Sequence, residues 1–453
     1  SLIDSAKELQ DLVIKNKKSQ DVVLLSEPLA HLYDTFIQVV DAKDSRVYRA
    51  HYNLAETQFE IKHFAKATLN YRWIMDNMSS KMMKQSELDA ETISLKAIGS
   101  RYEELQLAKL VPGELSAVLL SKDKGGTPAK KESLGEWIVW IDAHRKDYGS
   151  RPGTRNEEFD NFDFQANRTL YSQGYIQFAI DRMVKFAFAK PKSKHAIAVA
   201  SLSLDTFVKS EDWVKTNELA NRYVKVVEWK DSEFFPKVFE IAADSFYKIA
   251  ESGSQKKDVS SSELKTTLAQ AETCTNQYSK SVRYTDCMVL AGKIALQLRD
   301  FPKAEQYYGK IIAESKSEKY ISATYLLRAQ IREEQSRYAD AITDLMAYLK
   351  RTEFKDDEMK KKVLHFAWIS GDATLLSKTL TEKEICNEER SVKCDGFSVI
   401  IALQSAATDD DAKNFFQKAY KGSGENRSLW ALAALRFSKK LAPADRSLML
   451  ARV

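Results

Sequence analysis

Few residues in this chain have both the type and the spacing for chemistry, and the cysteines come first. There are four, in two close pairs: Cys274 with Cys287, and Cys386 with Cys394. The first pair flanks a polar turn at 279–281, with each cysteine about two turns from it on its own helix. An antiparallel hairpin therefore brings the two thiols face to face. The second pair brackets CNEERSVKC, a polar loop that a disulfide would close. Pairs that close loops fit an oxidising compartment, with four ordinary buried thiols as the alternative. Neither pair has the CxxC spacing of a zinc or redox site.

The six histidines (His31, His51, His63, His144, His195 and His365) are scattered, and none falls in an HExxH or another metal-ligand pair. No GxxxxGK[ST] loop, strand-linked GxGxxG or GxSxG elbow is present. The run Asp409-Asp410-Asp411 follows Thr408 at the start of a helical pattern, where negative charge complements the helix dipole. The expectation is that there are no catalytic residues, no metal ligands and no cofactor.

The elements that would position any site are helices. Hydrophobic residues make up 44% of the 453, too many for a disordered chain. Glycine (15) and proline (8), the residues disfavoured in helix interiors, are scarce. Ala, Leu, Lys, Glu and Gln recur in their place. No apolar run reaches the roughly 18–20 residues that span a bilayer. The net charge is +5, from 69 basic and 64 acidic residues that are interspersed, which argues against nucleic acid as a partner. The densest basic cluster (Lys122, Lys124, Lys130, Lys131) reads as a solvated loop. The chain opens SLIDSAKELQ, without Met or an apolar leader, which reads as a processed or trimmed form. It ends LMLARV with the helical pattern still running, which reads as a cut.

Residues 51–75, HYNLAETQFEIKHFAKATLNYRWIM, hold two matched runs of helical pattern. Tyr52, Leu54, Ala55 and Phe59 form one stripe, and Phe64, Ala67, Tyr71 and Ile74 the other. Neither buries its stripe alone, and folded back on each other they do, with Ala55 and Ala67 at the close approach. The break at Lys62-His63 carries no proline or glycine, so the two stripes themselves are read as specifying the turn. The pattern returns in residues 290–312, with Phe301, Ala304, Tyr308 and Ile311. It returns again in residues 327–349, with Ala329, Tyr338, Ala341, Leu345 and Tyr348. Weaker copies lie at 167–193 and 201–226, and a degenerate one at 398–422.

These segments resemble the tetratricopeptide repeat (TPR), a helix–turn–helix of about 34 residues with small residues at two contact positions and an aromatic after the corner. Phe178 and Thr216 depart from the small residue expected after the corner, and most closing prolines are missing. The resemblance covers about two-thirds of the chain and singles out no subfamily. It implies an all-α fold: a right-handed superhelical solenoid of antiparallel helix pairs in two or three segments. The boundaries expected are 1–120 for an N-terminal TPR-like segment, 121–133 for a flexible linker, 134–385 for a central solenoid and 386–453 for degenerate helical repeats. The Gly- and Lys-rich composition of 121–133 carries the linker reading.

Such solenoids bind through a concave surface lined by the first helix of each repeat. The positions matching that inward face are Arg49, Tyr52, Asn53, Glu56 and Phe59, then Asp163, Asn167, Leu170 and Tyr171. Val289, Lys293 and Leu296 follow, and last Leu326, Gln330 and Glu333. Related repeats that grip a terminal carboxylate use Lys or Arg and Asn one turn apart, as Arg49 and Asn53 are. A clamp needs several such pairs, and no second is evident. Trp137 and Trp140, one turn apart, are either a docking stripe or core. The function expected is a non-enzymatic scaffold or adaptor for other proteins or peptides, with no nucleic acid, set in the periplasm or another extracytoplasmic compartment. A bacterial envelope assembly for secretion, motility or cell-wall work is the setting inferred. The alternatives are the non-catalytic arm of a larger enzyme such as a lytic transglycosylase, or a cytosolic chaperone-type adaptor for C-terminal peptides.

Overall fold

The computed structural model describes residues 2–15, 22–77, 79–149, 156–370 and 372–380, with isolated positions at 385, 443, 444 and 447. Cys386, Cys394, the acidic run 409–411 and the degenerate copy at 398–422 lie outside the described residues. Among the described residues the regular structure is helical, without strands. The chain divides into two compact units, Ser1–Ala242 and Ala243–Val453. The linker expected at 121–133 lies inside the first.

In the first unit the helices run α1 (Leu2–Lys15), α2 (Val22–Val39), α3 (Ser45–Glu60), α4 (Phe64–Asn77), α5 (Ser80–Gln85) and α6 (Ala90–Leu107). They continue as α7 (Ser133–Tyr148), α8 (Asn156–Ser172), α9 (Ile176–Ala189), α10 (Ala196–Lys209) and α11 (Trp213–Tyr223). The division between units falls within α12 (Phe234–Ser254). The second unit holds α13 (Ser261–Gln277), α14 (Tyr284–Gln297), α15 (Phe301–Glu314), α16 (Glu318–Glu334), α17 (Tyr338–Arg351), α18 (Asp357–Ser370) and α19 (Ala373–Leu380). Within each unit most helices next to one another in the chain pack together, with α4 packing on α6 past the short α5, and short corners fold them into hairpins. This is a TPR-like α-solenoid arrangement.

The corners show how a chain poor in glycine turns so sharply. At the α3–α4 corner Lys62 takes a φ of 62°. Its N–H donates to the Phe59 carbonyl, and the next N–H, of His63, reaches back to Gln58. Glu211, Arg299 and Ser336 hold φ of 55°, 57° and 59° at the α10–α11, α14–α15 and α16–α17 corners, each with the same pair of reversed bonds. Gly174 does so at α8–α9, with φ 90°. This is the Schellman ending, which satisfies otherwise orphaned helix carbonyls. A non-glycine residue held there costs about 1–2 kcal/mol, so the turn at Lys62-His63 carries a local strain that the packed stripes offset. Asp212 and Asp300, next after the turn, cap α11 and α15 by accepting from the N–H of Lys215 and Lys303 at 3.1 and 3.3 Å.

Packing follows the sequence stripes. Ala55, Ala67, Tyr71 and Ile74 are fully buried and share one core with Ile93 and Ala97 of α6. In the second unit Ala295, Ala304, Tyr308 and Ile311 are likewise fully buried. Gly292 of α14 is the closest approach: a Cβ built on it would lie 2.3 Å from Cε1 of Tyr308. That ring has no exposed surface, so it cannot swing clear. Gly292→Ala is expected to lower the unfolding free energy by about 1–3 kcal/mol, read from the shift in urea midpoint. Trp137 and Trp140 are 0% and 4% exposed and belong to the core, not to a docking stripe. Trp137 Nε1 donates to the Ile98 carbonyl at 3.0 Å. The Trp140 ring lies within 5.3 and 5.1 Å of the Arg72 and Arg101 guanidinium carbons.

Candidate protein-binding surfaces

The expected inward positions separate into two groups. On α3, regular helical geometry places Arg49, Tyr52, Asn53, Glu56 and Phe59 along one side, and neighbouring elements engage each of them. Arg49, exposed, reaches the Glu87 carbonyl at 3.4 Å, and the Tyr52 ring lies 6.2 Å from that of Tyr71 on α4. The Asn53 amide donates to Tyr33 Oη at 3.0 Å, and Tyr33 in turn donates to Gln10, joining α1, α2 and α3. Glu56 accepts from Tyr71 through one oxygen and from Lys96 through the other, at 3.2 Å. Phe59 sets its edge against Phe64 at 5.0 Å. Asn53 thus spends its amide inside the fold, away from the ligand role a carboxylate clamp would give it.

On α8 the expected face points inward, into the chain itself. Asn167 is fully buried and Tyr171 is 3% exposed. Asn167 Oδ1 accepts from Arg182 Nε at 2.8 Å. Around it Arg145 and Arg182 both reach Asp163, at 2.6 and 3.3 Å, and Asp142, tying α7, α8 and α9 together. Neither Asn167 nor Tyr171 presents a solvent-facing group.

What covers the Tyr171 end of α8 is the chain between α6 and α7. Residues 108–132 hold only a 3-10 turn at Leu120–Lys122, and the stretch from 121 on is the one whose composition reads as a flexible linker. Their backbone is nonetheless tied to α8–α11. The N–H of Val118 donates to Tyr171 Oη and that of Leu120 to Ser210 Oγ, both at 2.9 Å. Lys209 Nζ donates to the Ala117 carbonyl at 2.8 Å, and Arg168 donates to the Gly113 carbonyl. Gln173 donates to the Leu110 carbonyl at 3.2 Å, and the N–H of Lys124 donates to the Gly174 carbonyl at 2.8 Å. The Asp123 carboxylate accepts from the N–H of Ile176 at 2.7 Å, capping α9, whose own N-cap Tyr175 supplies no side-chain bond. Asp123 and Lys124, at the start of the linker expected at 121–133, are therefore tied down, as is 110–120, expected as part of the N-terminal TPR-like segment. Apart from Asp123 the segment makes these bonds through main-chain groups, which composition does not reveal.

In the second unit Val289, Leu296 and Leu326 pack half-buried against the core, and two of the expected positions stay open. Lys293 on α14 and Gln330 on α16, the first helices of successive hairpins, are exposed. Glu333, one turn from Gln330, pairs with Lys362 at 2.6 Å. In the same unit Cys274 of α13 and Cys287 of α14 form a disulfide with Cα atoms 6.1 Å apart, both residues wholly buried. This is the hairpin pairing expected for them.

Sequence reasoning missed a cleft of about 730 Å³ beside the α9–α10 loop, lined by Lys190, Lys192, Lys194 and His195 and by Glu157, Asp160 and Glu228. Two of its lysines are already paired, Lys190 with Asp160 and Lys194 with Glu157. Among the described residues no group of three His, Cys, Asp or Glu is placed to hold a metal, and no helix is long and apolar enough to cross a membrane.

One histidine sets a pH dependence. His144 is 2% exposed, bonded through Nδ1 to Ser94 Oγ at 2.9 Å and set between the rings of Tyr148 and Phe159. Burial pushes its pKa down to about 4, with Asp147 opposing and Lys190 assisting. The folded state therefore holds the neutral form, and the unfolded chain gains a proton near pH 6.5. Stability present above pH 6.5 is lost as pH falls toward 4, by about 3 kcal/mol in full. Burial shifts His51 and His195 in the same direction. Denaturant midpoints at pH 7 and pH 4 are expected to differ less in His144→Gln than in the unmutated chain.

No family model matches the chain, and no curated protein matches it. A solved human IFIT1 dimer with m7Gppp-AAAA is 9% identical, with a TM-score of 0.25, covering 94% of this chain and 87% of that one. The apo form of RapI is 12% identical, with a TM-score of 0.22, covering 93% and 99%. Overlap at that level assigns neither fold nor ligand, and the architecture rests on the helices described above.

Proposed function

We propose that this chain is a non-enzymatic scaffold that holds other proteins on a helical-repeat surface, and that the face of α14 and α16 around Lys293 and Gln330 is where it does so. The observation that carries the reading is the contrast between the units. The polar positions Asn53 and Glu56 on α3 and Asn167 on α8 are spent on contacts within the fold, while Lys293 on α14 and Gln330 on α16 stay exposed, α14 belonging to a covalently braced hairpin. Stacked hairpins present such a face as an extended surface suited to a folded partner or an amphipathic helix. The buried disulfide supports an extracytoplasmic setting, because such bonds persist in oxidising compartments. We place the chain in a bacterial envelope assembly for secretion, motility or cell-wall work. Proteins are favoured over nucleic acid because basic and acidic residues nearly balance and many cations pair with nearby carboxylates, as Arg283 does with Asp244 and Asp286.

The test compares capture of protein partners from the source cell by the unmutated chain and by Lys293→Glu with Gln330→Glu. Both positions are exposed, so stability is expected to stay within about 0.5 kcal/mol. A specific partner should be lost, with capture falling at least ten-fold. Undiminished capture of the same partner would remove this face from the account.

A further inference from the structure

The segment 110–124 is held in an unusual way for so long a connection. None of its apolar side chains is fully buried: Leu110, Val111, Leu115, Val118 and Leu120 are half-buried and Leu119 is exposed. Its hydrogen bonds are made mainly through its backbone. Arg168 and Lys209 grip the carbonyls of Gly113 and Ala117, Tyr171 and Ser210 accept the N–H groups of Val118 and Leu120, and Gly174 accepts that of Lys124. One side chain is read: the Asp123 carboxylate seats on the first N–H groups of α9, at 2.7 Å from Ile176 and 3.4 Å from Gln177. Negative charge is favoured there by the helix dipole and the free N–H groups. The two cations are spent on neutral carbonyls, where a carboxylate would bind more strongly. Gly113, within the segment, has open space around it, and Gly125 and Gly126, just past its end, lie in the left-handed region with φ 71° and 67°. Segments held by exposed hydrogen bonds with few buried apolar contacts open at the low end of a protein's stability range.

We infer that the edge formed by α8, α9 and α10 is a site for an extended peptide, which the chain fills with its own residues 110–124. Resting on the scaffold reading, the inference names the peptide class: an extended stretch read mainly through its backbone, with an acidic residue in the register of Asp123. The strap competes at the high effective concentration of a tethered segment, so the edge takes a separate peptide only when the strap is weakened.

The probe is a fluorescein-labelled synthetic peptide of residues 110–124, titrated by fluorescence polarisation against the full chain. The unmutated chain is expected to bind it weakly or not at all, and the Asp123→Ala chain at least ten-fold more tightly. Adding Arg168→Ala and Lys209→Ala to that variant should return binding to the unmutated level. An Asp123→Ala chain with unchanged circular dichroism that gains no peptide binding would overturn the inference, as would a gain that survives loss of both cations. Hydrogen exchange on the unmutated chain tests it without a variant. The N–H groups of Val118, Leu120 and Lys124 should exchange at least ten-fold faster than those in the middle of α8 and α9, and equal protection would mean a permanent strap. Failure here leaves the Lys293 and Gln330 test untouched, because that face belongs to the other unit.

Discussion

Asp344→Ala is expected to lower the stability of the second unit by about 3–5 kcal/mol, the cost of breaking a buried ion pair from one side. Asp344 has no exposed surface. Arg328 from α16 clasps its carboxylate with two parallel bonds, at 2.6 Å to Oδ1 and 2.9 Å to Oδ2. Arg332, one turn on, donates to Oδ2 at 2.8 Å. The arginine side chains are only 19% and 15% exposed, so removing the carboxylate strands two cations with little water to solvate them. Arg332 keeps a contact with Glu305 at 3.4 Å and Arg328 keeps the Tyr325 ring at 5.6 Å, which offset part of the loss. The internal control is Arg46 on α3, whose side chain is 64% exposed beside Asp44. Arg46→Ala should cost no more than about 1 kcal/mol. Urea unfolding followed by circular dichroism checks both, and equal small losses would mean that Asp344 does not join α16 to α17.

Replacing Cys274 and Cys287 together by Ser is expected to lower stability by about 3 kcal/mol. The bond closes a loop with a sequence separation of 13, and a closed loop of about 15 residues restricts the unfolded chain by roughly that amount. Both sulfurs are fully buried, which sets the kinetics apart from an exposed redox pair. A mild reductant should leave the folded chain intact, and the same reductant in denaturant should remove the stabilisation. A double variant as stable as the unmutated chain would show that the α13–α14 packing carries the hairpin without the bond.

How much of this was legible in the sequence depended on what kind of contact was involved. Side-chain periodicity reports which face of a helix is apolar, so the α3–α4, α14–α15 and α16–α17 hairpins could be read directly. So could the approach of Cys274 to Cys287, because two helices joined by a short turn have only one way to face each other. The corners were legible in place but not in mechanism. Lys62, Arg299 and Ser336 carry no residue signature of a left-handed turn, and only Gly174 does. For the site, periodicity named a face without naming what covers it. Asn53 is claimed by Tyr33 from α2, and Tyr171 lies under a segment whose contacts are made by peptide groups common to every residue. A strap hydrogen-bonded mainly through its backbone therefore leaves no side-chain signature in the sequence.

The most direct test of the scaffold account is cross-linking in the source cell followed by mass spectrometry, with every link placed on this numbering. The account predicts one dominant partner protein whose links cluster on α14 and α16, on lysines of the open face such as Lys293. Links confined to the chain itself, or spread over many proteins with none on that face, would contradict it.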